Sequence, residues 1–371
     1  ASRPRRKSRR EEPRWVAPRA ASSRAAQATL DAGPGRGVGI AGEADRVCCH
    51  AVEFILPIVA VVLGLVGLVL GADRFVFGAS NLARRMGVSL LVVGMLIVGI
   101  GTSAPEMLVS AMAAFEGASE IALGNVVGSN ITNIGLVAGL AAIIRPMELQ
   151  RDVVRREIPV LMLVTAIGIA LLSDFELSMI DGVILASLLG VFLLLTLRRS
   201  RSETVEDATQ PLVGYGRATL WLVVGLVLLM VSSRAVVWGA STVAAAMGVS
   251  ELIIGLTIVA IGTSLPELAS SVAAALKGEH AMAIGNVIGS NVFNLLAVLA
   301  LPAVIAPGPV DRLLLIRDCA VMGFLTVVLF VFAAAFDDRG RINRVEGGIL
   351  LGLFASYLLL LVLDATGTLT F

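Results

Sequence analysis

From residue 52 onward the chain alternates long apolar runs with short polar breaks. Ten runs are separable, at 52–71, 88–115, 121–143, 157–173, 178–197, 218–240, 250–276, 281–305, 318–336 and 345–364. A helix needs about 20 apolar residues to cross a hydrocarbon core about 30 Å thick. Barrel strands would instead alternate apolar and polar positions over about ten residues. The pattern therefore predicts an all-α integral membrane protein with ten transmembrane helices.

The polar breaks carry the orientation. Beyond residue 50, fourteen Lys/Arg fall in the connections after odd-numbered runs, including Arg84, Arg85, Arg145 and Lys277, against Arg312 and Arg317 after even-numbered ones. Cationic loops stay on the cytoplasmic side, so both termini are expected to be extracytoplasmic, in a multi-pass protein of the cell inner (plasma) membrane. Composition agrees: 57% of residues are hydrophobic and 15% charged, with mean hydropathy +0.91, which excludes an ordinary soluble domain. Residues 1–50 differ, with eleven Lys/Arg against five Asp/Glu and no apolar periodicity. They are expected to be a disordered basic extension, with the native start near Val52. A nucleic-acid arm or membrane-surface patch is the other meaning of such a run, and no nucleic-acid partner is expected.

A second pattern lies over the first. Residues 101–133 align without gaps to 262–294, with seventeen identities in thirty-three positions: "GTSAPE" returns as "GTSLPE", and "GNVVGSNITN" as "GNVIGSNVFN". The same offset of 161 relates Gly78-Ala79-Ser80 to Gly239-Ala240-Ser241 and "MGVS" at 86–89 to 247–250. Each copy holds five runs, and an odd number brings the second copy in from the opposite face. The expected architecture is two inverted five-helix repeats, residues 51–197 and 218–371, joined by a cytoplasmic linker at 198–217. Inverted repeats with interrupted helices are the architecture of secondary transporters, with the site at the midplane between the halves.

The repeated segments place oxygen inside the membrane. Proline removes a backbone donor and clashes with the carbonyl four residues back, so Pro105 and Pro266 release the carbonyls of Gly101 and Gly262. Freed backbone is tolerated in lipid only where it lines a cavity or meets a partner. Beside it stand the hydroxyls of Thr102, Ser103, Thr263 and Ser264 and the carboxylates of Glu106 and Glu267. On the following run, Asn125, Ser129 and Asn133 share one helix face, as do Asn286, Ser290 and Asn294. Asn125 and Asn286 are explained equally well as interhelical hydrogen-bond links. Gly124, Gly128, Gly285 and Gly289 lie beside those faces and would admit a close backbone. Gly67 and Gly71 read as helix packing. Asp73, Asp181 and Glu346, near run ends, are expected to be solvated or interfacial.

This inventory is hard oxygen without Cys or His, which suits Ca²⁺ or Na⁺ and not zinc or copper. Cys48, Cys49 and Cys319 have no metal-type spacing, and His50 and His280 fall outside the membrane interior. Two carboxylates match the charge of one divalent cation. On its departure other cations must replace it, since two bare anions in low dielectric are costly. That favours exchange over a passive pore. Intramembrane hydrolysis would need a nucleophile and base, for which Ser103 beside Glu106 is the sole candidate. No enzyme activity, cofactor or obligate protein partner is expected, and an ion sensor would lack an output domain.

The two motifs resemble the alpha repeats of the calcium/cation antiporter superfamily, in particular its prokaryotic sodium/calcium exchanger branch, over residues 52–365. The resemblance implies that Glu106, Glu267, Thr102 and Thr263 hold Ca²⁺. It further implies that Ser103, Ser264, Ser129 and Ser290 line sodium sites with backbone carbonyls near Gly99 and Ala260, and that Asn133 and Asn294 complete the centre. Runs 1 and 6 would slide across the rest to alternate access, exporting Ca²⁺ against Na⁺; proton-coupled divalent exchange is the alternative. Relatives that depend on potassium carry Asp where this chain has Asn294, which argues against potassium coupling.

Overall fold

The computed structural model describes residues 41–200, 213–249, 254–334, 340–366 and 368. Most of the basic extension and most of the expected linker lie outside the described residues. The chain divides into a first unit, residues 1–52, and a second, residues 53–371. Within the first unit, helix already begins at Ala41, ten residues inside the stretch expected to be without structure. From Glu43 to the unit boundary no Gly or Pro interrupts the chain, and Ala, Glu and Arg there favour helix.

The described residues of the second unit are almost wholly helical. Helix α1 spans Ala41–Met86. A broken pair follows, α2 (Leu90–Thr102) and α3 (Ala104–Phe115), bent by 43°. Next come α4 (Ser119–Ile144), α5 (Ile158–Leu171), α6 (Met179–Ser200) and α7 (Tyr215–Ala246). A second broken pair, α8 (Thr257–Thr263) and α9 (Leu265–Leu276), bends by 52°. The last three are α10 (His280–Ile305), α11 (Leu314–Ala334) and α12 (Arg344–Ala365). Among the described residues seven helices are long and apolar enough to cross a membrane, and nine spans result if each broken pair is one. The run expected at 157–173 is α5, a 14-residue helix preceded by a π-helical turn at Val153–Glu157.

Two boundaries differ from expectation. The first run does not stop at residue 71: its apolar helix continues to Met86. Nor does the sixth stop at residue 240, since α7 runs to Ala246. In α1 the charges that looked like terminators are accommodated along the helix. Asp73 pairs with Lys277, and the Arg74 guanidinium lies 4.7 Å from the Trp221 ring centroid, a cation–π contact.

Helices α1 and α7 cross backbone to backbone. A Cβ on Gly71 would lie 3.0 Å from Leu229 N, and one on Gly64 would lie 2.9 Å from Ser232 O. Gly67 faces Ser232 in the same seam, so the GxxxG is packing. Asp181 and Glu346, expected to be solvated or interfacial, are instead buried, because each terminates a helix. Asp181 Oδ2 accepts from Ser178 N at 2.8 Å. Glu346 completes a capping box with Asn343, satisfying orphan N–H groups.

Among the described residues four two-residue strands punctuate the helices: β1 (Met147–Glu148), β2 (Glu176–Leu177), β3 (Gly308–Pro309) and β4 (Arg341–Ile342). They pair antiparallel as β1 with β4 and β2 with β3. Since β3 stands 161 residues after β1, the two ribbons tie equivalent connections of the two halves.

Candidate functional site

Both helix breaks fall inside the repeated motifs. At Ser103 the backbone leaves helical geometry (φ −80°, ψ 3°), and α3 restarts with Pro105 in its first turn. Ser264 does the same (φ −90°, ψ 8°) ahead of Pro266. Proline is well placed there, because the first turn of a helix has no partner for the missing N–H. The carbonyl freed at Gly262 is taken by a neighbour: Ser233 of α7 donates its hydroxyl to Gly262 O at 2.7 Å. The equivalent of Ser233 in the first half is Ala72, which has no hydroxyl to offer Gly101.

The breaks clasp each other. Ser103 Oγ donates to Glu267 Oε1 at 3.2 Å, and Ser264 Oγ donates to Glu106 Oε1 at 3.3 Å. Each motif's serine thus holds the other motif's carboxylate. Glu106 and Glu267 are 0% and 1% exposed, and the second oxygen of each, Oε2, has no hydrogen-bond partner among the described residues. Buried carboxylate oxygens are costly without a partner, and each motif leaves one acceptor oxygen unsatisfied at the centre.

Around the carboxylates the remaining oxygens converge. Thr102 Oγ1 lies 3.0 Å from Val98 O, 3.4 Å from Gly99 O and 3.2 Å from Asn286 Oδ1. One hydroxyl proton satisfies only one of these, which leaves an acceptor-rich pocket. Ser290 Oγ reaches Gly99 O at 3.5 Å; no matching bond from Ser129 is found among the described residues, although Ser129 is buried. Thr263 is half-buried and engaged in contacts of its own. Ala260 opens the short helical turn that ends at Thr263.

Asn133 and Asn294 are fully buried, and neither side chain has a partner among the described residues. Each opens a π-helical turn, at Asn133–Ala138 and Asn294–Val298. Such insertions are frequent at functional sites because they re-aim a side chain. No composition signal marked them in the sequence; only their recurrence at the repeat offset could have. Asn125 and Asn286 act as links on their amide side. Asn125 Nδ2 donates to Glu106 O at 3.2 Å and Ser110 Oγ at 2.9 Å, while Asn286 Nδ2 donates to Glu267 O at 3.2 Å and Ser271 Oγ at 2.8 Å. Ser110 and Ser271 thereby join the site as supports for the carboxylate backbone. Among the described residues no group of three or more His, Cys, Asp or Glu comes together.

The two halves differ in one respect that sequence identity hides. A Cβ on Gly285 would lie 2.6 Å from Leu91 O, and one on Gly94 would lie 2.6 Å from Met282 O, so α10 packs directly on α2. The equivalent Gly124 and Gly128 on α4 have no described atom within 4 Å of a Cβ. Gly124 is exposed and Asn125 half-buried, where Gly285 and Asn286 are buried. Among the described residues α10 is thus packed on α2, and no equivalent packing is found against α4; residues 250–253, the counterparts of 89–92, lie outside the described residues.

The sequence model of a family described as sodium/calcium exchanger protein matches residues 56–198 and again 217–363, once in each half. CaxA of Alkalimonas amylolytica is 44% identical over 292 residues, covering 76% of this chain and 92% of that protein. Inner membrane protein YrbG of Escherichia coli K12 is 40% identical over 261 residues, 67% of this chain and 80% of its own length. The structure of the sodium-calcium exchanger NCX_Mj soaked with Na⁺ and Sr²⁺ superposes with a TM-score of 0.73 at 34% identity, covering 82% of this chain and 98% of that one.

Proposed function

The chain belongs to the sodium/calcium exchanger protein family, a family of transporters, and from that membership we propose that it exchanges Na⁺ for Ca²⁺ across a membrane by alternating access, exporting Ca²⁺. The observation that carries this reading is the reciprocal clasp between Ser103 and Glu267 and between Ser264 and Glu106, with one carboxylate oxygen on each side left without a partner. Two facing carboxylates balance one Ca²⁺, and Thr102 and Thr263 add neutral oxygens toward the six to eight that Ca²⁺ takes. Ser103, Ser264, Ser129 and Ser290, with the carbonyls of Gly99 and Ala260, would accept Na⁺ when Ca²⁺ leaves. Asn133 and Asn294 would close the centre with neutral amides.

The same reading gives ten spans, α5 being the fourth, in two inverted halves. Arginine placement puts the connection holding Lys277 in the cytoplasm. The packed α2–α10 seam then closes the cytoplasmic side, and the open flank of α4 faces outward. Transport requires the reverse arrangement, with α4 packed on α8 and α10 released, as α1 and α7 slide.

Purified protein in liposomes tests this. ⁴⁵Ca²⁺ uptake should follow an outward Na⁺ gradient and ignore K⁺ and pH gradients. Uptake driven by a pH gradient in place of Na⁺ would establish proton-coupled exchange instead.

A further inference from the structure

Charges sit at equivalent positions of the two halves with their signs exchanged. By the offset of 161, Asp73 on α1 corresponds to Arg234 on α7, and Lys277 at the end of α9 corresponds to Glu116 at the end of α3. One pair is acidic on the long helix and basic at the hairpin; the other is basic on the long helix and acidic at the hairpin. Both are complementary, in a chain only 15% charged.

The first pair is formed. Lys277 Nζ lies 2.9 Å from Asp73 Oδ1 and donates to Asp73 O at 2.6 Å. Arg234 and Glu116 are exposed, and neither takes part in an ion pair among the described residues. This difference tracks the packing. Lys277 leads into α10, whose glycines are pressed against α2; Glu116 leads into α4, whose glycines Gly124 and Gly128 meet no described atom within 4 Å of a Cβ. The packed seam has its ion pair, and the pair beside α4 is not formed among the described residues.

We propose that Asp73–Lys277 and Arg234–Glu116 are two latches engaged in turn, positioning the long helices α1 and α7 against the hairpin tips in the two conformations of the transport cycle. This rests on the alternating-access reading above and adds to it the residues that hold each end state. The latches are unequal. Beside the first, Arg84 Nη2 meets Glu279 Oε1 at 2.6 Å in a largely buried pair, while the equivalent positions are Ala245 and Ala118. The conformation closed at Lys277 therefore has two ion pairs and its opposite has one, which makes the former the resting state.

The test is cross-linking of the full chain in liposomes, with Cys48→Ser, Cys49→Ser and Cys319→Ala as background. A Glu116→Cys/Arg234→Cys variant is treated with a short bifunctional methanethiosulfonate, and the linked peptides are measured by mass spectrometry. The link should form, and adding Lys277→Gln should accelerate it about three- to fivefold, the scale of an exposed ion pair. Separately, Glu116→Arg should slow exchange by about the same factor, and the swap Glu116→Arg/Arg234→Glu should restore it. Residues that serve only as solvated surface would show neither the acceleration nor the rescue. Absence of the link, or a rate indifferent to Lys277→Gln, overturns the proposal. Because linking is read without any ion flux, a wild-type protein that fails to exchange Na⁺ for Ca²⁺ would remove the transport reading and leave the latch result standing on its own.

Discussion

Adding one methyl group to either of two equivalent glycines should have opposite consequences. In Gly285→Ala the new Cβ would stand 2.6 Å from Leu91 O, 3.2 Å from Met95 N and 3.3 Å from Gly94 Cα. Ordinary contact begins near 3.4 Å, so α10 or α2 must retreat by several tenths of an ångström, and all three obstacles are backbone. Overpacking of this kind costs about 1–3 kcal/mol, while replacing Gly by Ala inside a helix returns about 1 kcal/mol. The net effect is a loss of up to about 2 kcal/mol for the conformation described. In Gly124→Ala no described atom lies within 4 Å, and the helix gain of about 1 kcal/mol stands alone. The two variants should thus differ by about 1–3 kcal/mol, a factor of about 5–150 in the population of this conformation. Thermal unfolding in detergent without Ca²⁺ should place Gly285→Ala below wild type and Gly124→Ala at or above it. Exchange should slow in both, since each penalises one half of the cycle. Equal shifts of the melting temperature in the same direction would refute the asymmetry.

Glu106→Gln and Glu267→Gln should each lower ⁴⁵Ca²⁺ uptake at least about 100-fold, because removing one charge from a buried ionic site costs about 3–5 kcal/mol. Ca²⁺ should raise the melting temperature of wild type and of neither variant; retained uptake in either removes it from the site. Ser233→Ala deprives the buried Gly262 carbonyl of its hydroxyl donor and should destabilise the protein by about 1 kcal/mol, with Ser233→Thr retaining most of that. An unchanged melt for Ser233→Ala would mean that the bond contributes nothing.

Much of this was legible in the linear chain, for identifiable reasons. Apolar run length reports hydrocarbon thickness directly, so most of the long helices were visible as runs, although α1 continues to Met86 and the run at 157–173 holds a 14-residue helix. Proline after Gly-Thr-Ser marked both helix breaks, since the missing donor acts within one turn. Glu106 and Glu267 stood out because carboxylates are rare in such runs. Other features had no local signal. Asp73 on α1 pairs with Lys277, some 200 residues away. The π-helical turns at Asn133 and Asn294, and the donation from Ser233 to Gly262 O, arise from packing between helices.

By itself the sequence determined that the chain lives in a membrane and that it carries one oxygen-rich motif twice, because both follow from composition and from near-identical segments. Only the tertiary structure decided that the serine of each copy clasps the carboxylate of the other, and that Gly285 is pressed on α2 while Gly124 and Gly128 meet no described atom. Two nearly identical segments specify the same local geometry. They cannot specify how each copy packs against distant helices, since that is set by contacts between segments far apart in the chain.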